Sequence, residues 1–203
     1  MTIDALRQRW LTSHGMDLRG KVVEALRRNE NFAAHLLNFP GSNEIEHHAD
    51  LRGIVLTDML LDAAELTCSA LDYATFDGCD LTSANFHGSS MKGSSFRYAN
   101  LSKASLVQVS AEHGCFESAK LINVFAMTGV FEHASFQDAC MNSIALSGAK
   151  CRYADFRGAQ LIEADFNNAD LSFAKLSGAV LAGVTAWRAK IDGIDIFWQP
   201  TCT

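Results

Sequence analysis

The chain of 203 residues contains only two prolines and nowhere a run of eighteen apolar residues. The missing run excludes a membrane-spanning helix. The first thirty residues also lack a signal-peptide core, because Asp4, Arg7, Arg9, Asp17, Arg19 and Lys21 interrupt every apolar window; the expected location is therefore cytoplasmic. Six cysteines, at 68, 79, 115, 140, 151 and 202, form no C-x-x-C pair, and their spacings fit neither a zinc ribbon nor a redox motif. Reduced thiols are expected. A basic excess is missing as well. Lys and Arg number 17 against 23 Asp and Glu, a net charge of −6, which argues against direct binding to nucleic acid or to an anionic membrane. No G-x-x-x-x-G-K phosphate loop and no G-x-S-x-G nucleophile elbow occurs, so no catalytic, cofactor or metal site is assigned and an enzyme is not expected.

What the chain has instead is a period. Residues 151–179, CRYADFRGAQLIEADFNNADLSFAKLSGA, place an apolar centre at every fifth residue, mostly Phe or Leu, with Ala two places before it. Five divides into neither the 3.6 residues of a helical turn nor the 2.0 of a strand. Centres run without insertion from Leu51, Leu56 and Leu61 to Ile191 and Ile196, and the preceding small residue is unbroken Ala from 149 to 179. Asp or Asn often stands between the two, as in ADL at 49–51 and ANF at 84–86.

This A(D/N)LXX phrase resembles that of the pentapeptide-repeat family, over about three quarters of the chain. The resemblance implies an all-β repeat fold: a right-handed, quadrilateral parallel β-helix with four repeats per coil, centre and small residue both pointing inward. Four repeats per coil would stack residues twenty apart. Every fourth centre then reads Phe76, Phe96, Phe116, Phe136, Phe156, and another series reads Leu61, Leu81, Leu101, Leu121, Met141, Leu161, Leu181. Volume gives a second check. Where the centre shrinks to Ala111, Ala126 or Ala186, the small position becomes Val109, Val124 or Val184, the compensation expected when both fill one dry interior.

A lone coil buries too little to offset the ordering of its residues, and the ends of a stack need covers. Residues 1–48 are expected to form a helical N-terminal cap and linker, 49–198 the β-helix, and 199–203 a C-terminal tail. The pattern predicts a helix over Thr2 to Ser13 with Ile3, Leu6 and Trp10 on one face, ended by Gly15. A second, capped by Asp17, carries Leu18, Val22, Ala25 and Leu26; a short third holds Phe32, Leu36 and Leu37 before Pro40-Gly41;. His35 reads as an ordinary cap residue. At the far end Trp187, Phe197 and Trp198 are expected to plug the rod.

A filled rod offers a surface rather than a pocket. Five outward apolar residues, Val107, Ile122, Phe125, Met127 and Val130, are the candidate partner-binding or homodimer patch;. The stripe Tyr73, His113, His133, Tyr153, Phe173 is a second candidate, while Glu112, His113, Glu132 and His133, like the linker group Glu44, Glu46, His47, His48 and Asp50, are read as surface rather than as metal ligands. The repeat family includes DNA mimics that bind DNA gyrase, some of them protecting it from quinolones. The acidic residues Asp58, Asp62, Asp72 and Asp77 fit that alternative. The alternating ladder Arg52, Asp72, Lys92, Glu112, Glu132, Arg152 does not;. A nonenzymatic protein-interaction scaffold is the favoured expectation, with gyrase as a named alternative partner and a bacterial effector contacting host proteins as a third.

Overall fold

The computed structural model describes residues 1–36, 39–40 and 49–195. From Asp50 to Lys190 the chain is a right-handed quadrilateral β-helix. Parallel bridges join residues twenty apart, beginning with Asp50 to Ala70 and ending with Asp170 to Lys190. At a strand spacing of about 4.8 Å, seven such coils give a rod about 35 Å long.

One repeat, Asp80 to Ala84, accounts for the five-letter phrase. The Asp80 N–H donates to Met59 O in the preceding coil at 2.9 Å, and those of Leu81 and Ser83 donate to Asn100 O and Ser102 O in the next at 2.8 and 2.9 Å. Ala84 N–H closes the turn on Leu81 O at 3.0 Å. That leaves Thr82 N–H, which the Asp80 carboxylate accepts at 3.0 Å. Asp or Asn before the centre therefore supplies the one acceptor that the backbone does not, in the manner of an Asx turn. Asn85, Asn100, Asp155, Asp165 and Asp170 repeat the arrangement.

The second residue after each centre turns the corner with a left-handed backbone, at every fifth position from Gly53 to Gly193. Many of these residues are not glycine; Tyr98, His113, Tyr153 and Phe173 have φ between 57° and 62°. Left-handed backbone at an L residue costs roughly 1–2 kcal/mol. It persists because the N–H of these corner residues is tied to the next coil, as in His113 to Glu132 O at 3.0 Å.

Inside, every centre from Leu51 to Leu176 is at most 1% exposed. Phe76, Phe96, Phe116, Phe136 and Phe156 stack at 4.9 to 5.1 Å. Phe86, Phe131 and Phe166 meet this ladder edge-on. Val109, Val124 and Val184 are buried beside the small centres Ala111, Ala126 and Ala186. Gly114 and Gly129, at inward small positions, leave room for rings: a Cβ there would lie 2.9 Å from Phe116 or 2.6 Å from Phe131.

The N-terminal segment departs from its sequence reading. α1 spans Ile3–Gln8, a 3-10 turn follows at Arg9–Leu11, and α2 spans Ser13–Arg27. Thr12 rather than Asp17 caps α2, its hydroxyl accepting Gly15 N–H at 3.0 Å. Gly15 does not stop a helix. It lies in the first turn of α2, where a Cβ would fall 2.1 Å from Arg9 O, so its bareness lets α2 approach the preceding turn. Asp17 instead pairs with Lys21 at 2.7 Å. Leu6 and Trp10 are buried as expected, but Ile3 is exposed. A 3-10 turn at Ala33–Leu36 buries Leu36, while His35 is exposed; Leu37 lies outside the described residues.

Docking of these helices on the rod centres on Arg9. Its guanidinium forks onto both Asp50 carboxylate oxygens at 2.7 Å and donates to Arg52 O at 2.9 Å, with the Arg9 and Asp50 side chains both buried. Trp10 Nε1 donates to the same carbonyl at 2.9 Å. Burial pushes the Asp50 carboxyl up, but hydrogen bonds from Arg9 and Arg52 outweigh it and hold the pKa at about 2. Nothing in the sequence period marks this pair.

The C-terminal expectation needs correction at Trp187. The side chain is 55% exposed and its ring lies 4.0 Å from the Arg188 guanidinium. The period explains this: the centre is Ala186, so Trp187 occupies the outward position after it. Phe197 and Trp198 lie outside the described residues.

Candidate interaction surfaces

The four-sided coil sorts the candidate apolar residues by face. Val107, Phe125 and Met127 share one side, Phe125 directly before its centre and the other two directly after theirs. Phe125 is 51% exposed, and Val107 and Met127 are half-buried. Ile122 and Val130, both half-buried, lie across the corner turns at Asn123 and Thr128, on the two flanking sides. All five face outward. The alternative of folding inward around Ala111 and Ala126 is taken up by Val109 and Val124.

The aromatic stripe is a physical ladder over four of its five members. His113 and His133 stack at 5.0 Å, His133 and Tyr153 at 4.9 Å, Tyr153 and Phe173 at 5.0 Å, all within 8° of parallel. The Arg152 guanidinium covers Tyr153 and Phe173 at 5.7 and 5.8 Å. Tyr73 stands apart because Gly93 occupies the intervening coil. Spacing of twenty made this alignment legible in advance; the stacking itself is decided by the shared corner geometry.

The acidic candidates do not form one stripe. Asp58, at a corner, and Asp62, on the side that follows it, are exposed in the first coil, and Asp72 and Asp77 are half-buried in the second. Asp72 accepts from Lys92 N–H and the Ser90 hydroxyl, Asp77 from Arg97 N–H and the Ser95 hydroxyl. Further along, acids are matched by nearby bases: Lys92 with Glu112 at 3.3 Å, Arg97 with Glu117 at 3.0 Å, Arg157 with Asp155 at 2.7 Å. Burial pushes the Asp155 carboxyl up, and the Arg157 guanidinium outweighs that push and holds it below its usual range.

Among the described residues, no group of three or more His, Cys, Asp or Glu side chains is placed to hold a metal; Glu44, Glu46, His47 and His48 lie outside them. Cys79, Cys115, Cys140 and Cys151 carry reduced thiols. Burial pushes Cys79 up to about 11 and raises Cys151 as well, so neither supplies a thiolate near neutral pH;. Among the described residues no helix is long and apolar enough to cross a membrane.

The model of the pentapeptide repeats matches in eight copies, over residues 47–82, 60–97, 74–110, 84–123 and 144–183, more than half of the chain. The chain belongs to the pentapeptide-repeat family. Solved structures of similar build include a trypsin-treated variant of QnrB1, a plasmid-mediated fluoroquinolone resistance protein, with 16% identity over 70% of this chain and 90% of that one, at a TM-score of 0.43. A pentapeptide repeat protein of the Arabidopsis thaliana thylakoid lumen shares 23% identity over 56% of this chain and 69% of its own, at 0.34. HetL of the cyanobacterium Nostoc, involved in heterocyst differentiation regulation, shares 21% over 78% and 92%, at 0.22. No curated protein matches the chain in sequence.

Proposed function

We propose that this pentapeptide-repeat protein is a nonenzymatic protein-interaction scaffold of the cytoplasm, with residues 1–48 as cap and linker, 49–198 as the rod and 199–203 as a tail. The observation that carries the reading is the apolar side at Val107, Phe125 and Met127, flanked by Ile122 and Val130, on a rod whose centres from Leu51 to Leu176 are sealed inside. Burial of such a patch yields about 25 cal/mol per Å², enough for a modest homodimer or partner contact after ordering losses. The test is Phe125→Asp. Because the ring is half in solvent, thermal stability stays within about 0.5 kcal/mol, while self-association by sedimentation, or capture of a bound partner, weakens. Unaltered association in folded mutant protein removes this face from the function.

A DNA-mimic role toward gyrase is a second reading, favoured by Asp58, Asp62, Asp72 and Asp77, for none of which an ion pair with a base is seen among the described residues. It requires that the purified protein inhibit gyrase supercoiling and that replacing the four by Asn abolish the inhibition. No inhibition at large molar excess eliminates it.

A further inference from the structure

We propose that the groove between the N-terminal helices and the first coil is a docking site for a segment of a partner protein that carries a large apolar side chain beside a carboxylate. The groove encloses about 390 Å³ between Trp10, Leu11 and Met16 of the helical segment and Val55 of the rod. Arg7 and Arg19 stand in its wall. Leu11 and Met16 are 64% and 57% exposed, although Leu18, Val22 and Leu26 show that α2 has an inner face able to bury apolar side chains.

Apart from Arg27, the bases of the helical segment that lie outside this groove are each matched by an acid. Arg9 is matched by Asp50, Lys21 by Asp17 and Arg28 by Glu24. Among the described residues, Arg7 and Arg19 have no ion-pair partner, and Arg19 Nε is shielded from solvent with no hydrogen-bond acceptor. The positive charge of both side chains in the groove wall is therefore open to an acid from outside the chain;. A carboxylate matches the planar guanidinium fork, and Asp4, the one acid in the wall, leaves the rim at a single positive charge and so disfavours a dianion.

The exposure of the walls selects the class of occupant. Small-molecule pockets bury most of their ligand, whereas Leu11 and Met16 would leave a small amphiphile largely in water. A protein segment covers the mouth and both walls together, its apolar anchor beside Trp10 and its carboxylate on Arg19. This site lies in the first coil and the helices, apart from the Phe125 side, and does not depend on it.

The test is selection of a random dodecapeptide display library on the full-length chain. Selected peptides are expected to share Leu, Met, Phe or Trp within two residues of Asp or Glu. Their labelled copies should lose about tenfold in affinity to Arg19→Glu and to Leu11→Glu, keep their affinity for Phe125→Asp, and weaken with salt. Thermal melting checks that each variant is folded; should Arg19→Glu unfold, Leu11→Glu at its exposed position carries the test. No enrichment, a basic consensus, unchanged affinity for the folded groove variants, or displacement by dodecanoate that itself binds more tightly than the peptides would each overturn the proposal.

Discussion

Phe116 lies between Phe96 and Phe136 with ring planes 0° and 9° apart, at no solvent exposure. Truncation there opens a cavity in a rod that cannot collapse without shifting two coils. Phe116→Ala should cost about 3–5 kcal/mol, whereas Lys120→Ala, exposed one repeat later, should stay within about 0.5 kcal/mol. Chemical denaturation of the two variants compares them directly. Asn167 is less neutral than its outward position suggests, since its side chain accepts Trp187 N–H at 2.7 Å. Corner residues carry a different constraint. Gly178 has φ +76° with nothing nearer than 3.7 Å to an added methyl, but a Cβ on Gly53 would lie 2.9 Å from the Leu6 backbone. Gly178→Ala should therefore report left-handed strain alone, about 1–2 kcal/mol. Gly53→Ala should cost more and selectively loosen α1, which hydrogen exchange of the helical amides resolves.

At the scale of an element, the helical segment is held by a buried ion pair that responds to pH. Asp50 has its folded pKa depressed to about 2, below the ordinary unfolded value of about 3.9. Its contribution is full above the unfolded pKa and is lost as pH falls through the folded one, so helix docking should weaken between about pH 4 and pH 2, by roughly 2 kcal/mol. Trp10 fluorescence in a Trp187→Phe, Trp198→Phe background follows it. Asp50→Asn leaves Arg9 buried and uncompensated and should cost about 3–5 kcal/mol at neutral pH, with the acid-dependent step abolished.

For the whole molecule the coil of twenty matters more than chain length. Deleting residues 101–120 removes one full coil and sets Phe136 against Phe96 and Leu121 against Leu81. Deleting only 101–110 keeps the period of five but sets Ala126 against Phe96 and Ala111 against Leu81. The shorter deletion should therefore melt at the lower temperature, because it leaves voids in a close-packed interior. The reverse order would refute four repeats per coil as the stabilising register. Such a rod offers its sides and its capped end for contact, which is where both proposed interaction sites lie.

The sequence by itself determined the period, the recurrence of like centres at a spacing of twenty and the Val-for-centre compensation, because each repeat sees the same neighbours and its side chains must satisfy one geometry many times over; the four-sided coil is implied by the resemblance to the repeat family and agrees with those ladders. The apolar character of Trp187 predicts a plug for the rod, and the structure corrects this, with the residue in the outward position directly after the centre Ala186. Only the tertiary structure decided that Arg9 forks onto Asp50, that Gly15 serves a close backbone approach, and that Arg7 and Arg19 border an apolar groove. Those contacts occur once, between segments with no shared period, and depend on where helices of particular length come to rest on the first coil. A pattern that repeats can be read from its recurrence; a contact made once is fixed by packing and charge in three dimensions.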